Sequence, residues 1–76
     1  MRRDQILTRD QDILGGTPVF TGTRVPVDTL IAHLKAGDSL EKFLADFPSV
    51  SRAQAVAFLE LAQELVLQEA MDARPA

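Results

Sequence analysis

The chain has 76 residues, a formal net charge of −3 at pH 7, no cysteine and one histidine. That length holds a single domain without disulfides, thiolate metal sites or a nitrogen-rich metal site, so a homodimer is the expected route to extra burial. The acidic balance excludes DNA binding by bulk electrostatics, so any DNA contact must come from a local basic patch.

The chain divides near Pro26: residues 1–26 are rich in Thr, Gly and β-branched side chains, and residues 27–76 carry a helical pattern. The two parts are expected to form one domain. Residues 5–8 are predicted as a short strand. Gly15 and Gly16 mark a turn that needs positive φ. Val19-Phe20 and Arg24-Val25 flank Thr21-Gly22-Thr23, which predicts a hairpin with Gly22 left-handed. Pro18 and Pro26 keep this ribbon short and at an edge, where it could pair across a dimer axis.

Three helices follow. The first is expected over residues 28–36, with Asp28 as N-cap, an apolar face of Leu30, Ile31 and Leu34, and Gly37 just past its end. The second opens at Ser39, carries Leu40, Phe43 and Leu44, and stops at Phe47 because Pro48 pushes it out of the α region. The third opens with the capping box Ser51-Arg52-Ala53-Gln54 and extends to about Asp72. Two turns of helix, a tight connector through Pro48 and a longer helix make a helix-turn-helix layout, and an ordinary three-helix bundle has the same layout.

On the third helix Ala55, Phe58, Leu59, Ala62, Leu65 and Val66 share one face and predict the core stripe. Glu69 falls on that face too, so the helix is expected to run past its own core. Val56, Leu67 and Met71 lie on the other side. Leu61, Leu65, Leu67 and Met71 are therefore the candidate partner-binding residues.

Arg52 and Gln54, with Ser49 and Ser51 just before them, occupy the position from which a recognition helix reaches base edges. Lys42, Lys35 and Arg24 could reach phosphates. Gln54 also closes the capping box, so Arg52 is the stronger candidate.

No catalytic constellation is present, and the chain is expected not to be an enzyme, with no cofactor and no small-molecule substrate. Asp10-x-Asp12 fails as a calcium loop, because Leu14 takes a ligand position and Thr21 replaces the closing Glu. The glycines lack phosphate-loop spacing. His33 stands on the first helix as a boundary residue without a partner motif. No apolar run reaches the roughly 18 residues a membrane span needs, and no signal-peptide pattern follows Arg2 and Arg3, so a cytoplasmic location is expected.

The run over residues 13–27, Ile-Leu-Gly-Gly-Thr-Pro-Val-Phe-Thr-Gly-Thr-Arg-Val-Pro-Val, resembles the signature of domain-of-unknown-function family 433. The resemblance continues through Ala36-Gly37-Asp38-Ser39, Phe47-Pro48 and the start of the third helix, covering about residues 9–62. It implies a mainly α, homeodomain-like three-helix helix-turn-helix domain preceded by a short β-ribbon. It also implies a VapB-type antitoxin that neutralises a PIN-like nuclease toxin and represses its own operon by binding operator DNA. Thr17 and Thr21 stand where such proteins often carry basic residues, which weakens a phosphate-gripping ribbon. If the chain binds a toxin, the distal third helix or the N-terminal segment is expected to do it. The alternatives are a stand-alone dimeric DNA-binding regulator and a protein-interaction module that no longer binds DNA.

Overall fold

A computed structural model describes residues 1–72. The protein is mainly helical with a small antiparallel sheet. In chain order the elements are α1 (Arg3–Ile6), β1 (Leu7–Thr8), a 3₁₀ turn (Leu14–Gly16), β2 (Val19–Phe20), α2 (Val27–Lys35), α3 (Leu40–Asp46) and α4 (Arg52–Asp72). No helix among the described residues is long and apolar enough to cross a membrane.

The N-terminal segment departs from the strand expected over residues 5–8. Its first half is a helical turn instead, closed by the Arg2 amide donating to Gln5 Oε1 (2.8 Å) and the Gln5 amide donating to the Arg2 carbonyl. Only Leu7 and Thr8 are extended, pairing with Phe20 and Val19 respectively. A side-chain acceptor placed three residues after Arg2 satisfies a backbone amide locally, and period-2 patterning does not register such a competitor.

The expected hairpin is reduced rather than lost. The Phe20 amide donates to the Val25 carbonyl, and the Val27 amide to the Pro18 carbonyl, but the return arm amounts to one bridge between Val19 and Pro26. β2 therefore lies between β1 and this bridge. Gly22 sits at φ 81°, in the left-handed region that the turn requires. The buried Thr23 knits the turn: its Oγ1 donates to the Phe20 carbonyl (2.8 Å) and accepts from the Val25 amide (3.0 Å). Leu14 also has positive φ, 48°, which the sequence did not signal for a bulky residue.

α2 begins one residue earlier than expected, and Pro26, not Asp28, is its N-cap. The pyrrolidine ring fixes Pro26 at φ −59°, ψ 138°, and its carbonyl accepts from the Thr29 amide. Asp28 falls inside the first turn, where its carboxylate complements the helix dipole. The helix ends in a Schellman motif. Gly37 at φ 90° lets the Asp38 amide reach the His33 carbonyl (3.0 Å) and its own amide reach that of Leu34. α3 is capped as expected, with Ser39 Oγ accepting from the Lys42 amide (3.1 Å).

The core is Phe20, Leu30, Phe43, Val50 and Ala55, with Val25, Val27, Leu40, Leu44, Phe47, Phe58 and Leu59 packed against it. Phe20 anchors it, lying tilted on Phe43 (centroids 6.1 Å) and edge-on to Phe58 (5.6 Å). Both residues of β2 are fully buried, so the segment before Pro26 is a layer of the core and not an appended ribbon. The expected stripe on α4 holds only as far as Ala62; Leu65 and Val66 are exposed.

Candidate functional site

The candidate residues fall mainly on two surfaces of α4, its first turn and its distal half. The first turn follows the tight connector Pro48-Ser49-Val50. Val50 closes that connector by donating its amide to the Phe47 carbonyl (3.0 Å) and burying its side chain in the core. This fixes the direction in which α4 leaves.

Ser51 and Gln54 form the expected capping box. Ser51 Oγ accepts from the Gln54 amide (3.0 Å), and Gln54 Oε1 accepts from the Ser51 amide (3.3 Å). The other end of the Gln54 amide is occupied as well. Its Nε2 donates to the Thr21 carbonyl (2.9 Å) and to the Gln5 carbonyl (3.3 Å). Gln54 is thus a clasp between α4 and the N-terminal layer. A base contact by Gln54 would have to displace these bonds, since both Nε2 donors and one Oε1 lone pair are engaged within the fold.

The remaining candidates are more dispersed than the sequence suggested. Arg52 is exposed and pairs with Glu41 of α3, so a carboxylate accompanies the guanidinium at the start of α4. Lys42 pairs with Asp46 one turn along its own helix (3.3 Å). Exposed pairs of this kind contribute little stability and open easily, yet each adds negative charge where phosphate would approach. Ser49 and Arg24 are exposed, and Arg24 makes no ion pair among the described residues. It projects from the Gly22 turn and not from α4.

The distal half of α4 differs in kind. Every residue over 63–72 is exposed. Leu65 (53%), Val66 (66%), Leu67 (53%) and Met71 (85%) present large apolar side chains there. Leu61 does not belong with them. It is half-buried and lines a small cleft with Met1, Arg3 and Ile6 of the N-terminal segment and Glu60 and Glu64 of its own helix. The sequence could not show that α1 covers this part of α4.

His33 is more engaged than a boundary residue needs to be. Its ring lies edge-on to Phe43 (5.6 Å) and Phe47 (5.5 Å), and Nδ1 is 3.0 Å from Asp38 Oδ2. The Schellman turn makes this contact, since the backbone bond from Asp38 to His33 brings the two side chains together. Both residues border a shallow groove of about 560 Å³, whose other walls are Thr17, Pro26, Asp28, Thr29, Ala32 and Ala36. The spacing from His33 through Gly37 to Asp38 was a signal available in the sequence. No cluster of three or more His, Asp or Glu able to hold a metal ion occurs among the described residues.

Comparison with known proteins gives a family match over residues 7–62, to the family described as "Protein of unknown function (DUF433)". The chain belongs to this family. The DUF433 region takes in the sheet, α2, α3 and the half of α4 that packs on the core, and it stops where α4 leaves the core. A relative from Sinorhizobium fredii, "Uncharacterized protein y4eO", is 52% identical over 46 residues. Those residues are 60% of this chain and 21% of the relative, so the DUF433 chain spans about a fifth of that protein's length. No solved structure matches. The Gly-Thr-Arg-Val-Pro-Val run gains a physical meaning from the fold. Gly22 and Thr23 build the turn, Val25 and Pro26 return it to the sheet and start α2, and Arg24 is left facing solvent.

Proposed function

We propose that this DUF433 protein is the antitoxin of a toxin–antitoxin pair, neutralising a PIN-like nuclease by direct binding. The observation that carries the proposal is that α4 outruns the core it belongs to. Its 21 residues extend about 30 Å, and the last three turns expose four large apolar side chains among acids. Exposed apolar residues grouped on one protruding element are the mark of a protein–protein surface. Acidic residues beside them suit a basic partner such as a protein that must hold RNA.

The proposal also assigns autorepression to a homeodomain-like helix-turn-helix made by α2, α3 and α4, acting on operator DNA as a homodimer. The tight turn between α3 and α4 supports that assignment. Its contact set is narrower than the sequence implied: Arg52, Ser49 and Arg24, with Lys42 toward phosphate and Ser51 occupied as a cap. A protein-interaction module that no longer binds DNA is the second reading, favoured by the internal engagement of Gln54 and by Glu41 beside Arg52.

Co-expression tests the proposal. The chain is expected to co-purify with a PIN-like nuclease encoded beside its gene and to suppress that enzyme's RNA cleavage. A neighbouring nuclease that neither binds nor is inhibited overturns the antitoxin reading.

A further inference from the structure

α2 turns Leu30 into the core and leaves the opposite side of the helix facing solvent. Asp28, Ala32, Lys35 and Ala36 lie on that side, and all four are exposed. Asp28, Ala32 and Ala36 also line the shallow groove that His33 and Asp38 border. The charges at the two ends of this face are free: among the described residues neither Asp28 nor Lys35 makes an ion pair. They stand seven residues apart, on one line along the helix. About 10 Å of rise separates them, which is too far for the two to meet each other.

That spacing fits a second copy of the same helix. Run antiparallel about a twofold axis, two copies set position 28 of each against position 35 of the other, so both contacts are Asp against Lys. Ala32 falls at the centre, where a small side chain lets the helices approach closely. A parallel pairing would set Asp28 on Asp28 and Lys35 on Lys35, so the charges choose the antiparallel register. The other surfaces suit a second copy less well. β2 already lies between β1 and the Val19–Pro26 bridge, with both of its residues buried. An antiparallel copy of α4 that set Arg52 against Asp72 would also set Glu60 against Glu64, twice, and Arg52 is already paired with Glu41.

We infer that the outward face of α2 is a homodimer contact, in which two antiparallel copies of α2 cross at Ala32 and exchange two Asp28–Lys35 ion pairs. The inference rests on the homodimer of the proposed function and needs neither the nuclease nor the operator. It uses no residue of α4, so the first turn and the distal apolar residues of that helix remain available in both copies. Two helices of nine residues make a short contact, and the dimer is expected to dissociate on dilution.

Sedimentation of the full chain over a range of concentrations tests this. The wild type is expected to pass from monomer to dimer as its concentration rises, and added salt to shift it back. Asp28→Lys and Lys35→Asp each place like charges at both contacts, and each is expected to weaken association at least tenfold. Mixed with one another, the two variants restore opposite charges at both contacts, so the mixture is expected to recover a dimer close to wild-type strength. Ala32→Glu, at an exposed position on the axis, is expected to abolish association, and it carries the test if a charge reversal unfolds the chain. Circular dichroism checks that each variant remains folded. A mixture of folded variants that stays monomeric overturns the pairing. Association that survives all three variants, or that Leu67→Gln abolishes, places the contact elsewhere and overturns the inference while the homodimer stands. A wild type that stays monomeric at every concentration overturns both the inference and the homodimer, and leaves the antitoxin reading to its own co-expression test.

Discussion

Gln54 of α4 donates from Nε2 to the carbonyl of Thr21, 33 residues earlier in the chain, at 2.9 Å. The same side chain closes the cap of its own helix through Oε1. One residue therefore couples a local helix start to the long-range docking of α4 on the N-terminal layer.

That double role predicts an unusual response to a conservative change. In an ordinary capping box Glu and Gln serve equally, because both supply the acceptor. Here Gln54→Glu keeps the acceptor but loses both donors and turns a carboxylate toward the Thr21 and Gln5 carbonyls. It is expected to destabilise the fold by about 1–3 kcal/mol. Gln54→Ala, which removes cap and clasp together, is expected to fall in the same range. Urea unfolding measures both; a Glu variant as stable as wild type would remove the clasp.

Phe20 is fully buried against Phe43 and Phe58, so Phe20→Ala is expected to lose about 3–5 kcal/mol. For a domain this small that is most of the folding free energy. Thermal melting by circular dichroism should show little cooperative transition. A sharp melt close to wild type would mean that the N-terminal layer is dispensable.

Deleting residues 67–76 should do the opposite. The described part of that stretch is exposed and touches none of the core, so stability is expected to change by no more than about 0.5 kcal/mol. The same deletion should abolish capture of the nuclease. Chemical denaturation and co-purification, run on one preparation, separate the two effects.

Relief of the backbone at Leu14 gives a gain rather than a loss. Leu14 is half-exposed at φ 48°, where a Leu side chain costs about 1–2 kcal/mol and Asn far less. Leu14→Asn is expected to stabilise by roughly 0.5–1 kcal/mol. A fall in the melting temperature would refute the strain.

Operator binding has its own discriminating pair. Arg52→Ala should weaken binding by about 1–3 kcal/mol if the guanidinium reads a base. Glu41→Gln should then strengthen it by releasing Arg52 and removing a negative charge from the approaching phosphates. Neither change should move stability by more than about 1 kcal/mol, since the pair is exposed. An operator affinity that ignores both variants and salt concentration would leave the helix-turn-helix without a DNA role.

Much of this was legible from residue order, because the signals are local. Ser39 and the Ser51–Gln54 box cap helices with their own neighbours, Pro48 ends α3, and Gly22 and Gly37 take the left-handed conformations their turns require. These depend on steric and hydrogen-bonding preferences acting over three or four residues. The misplaced starts were local competitions decided the other way: Gln5 satisfied the Arg2 amide, and Pro26 preceded Asp28 as the cap.

By itself the sequence determined the helix starts at Ser39 and Ser51, the end of α3 before Pro48, the turn at Gly22, the family and the excess length of α4. Only the tertiary structure decided what each surface has left to offer. It took Gln54 for a clasp with Thr21, set Glu41 beside Arg52, covered Leu61 with α1, joined His33 to Asp38 and ended the core at Ala62. The reason is physical. A side chain's free donors, acceptors and apolar area are what remains after contacts with residues distant in sequence, and helical periodicity gives a side chain's direction without saying what it meets.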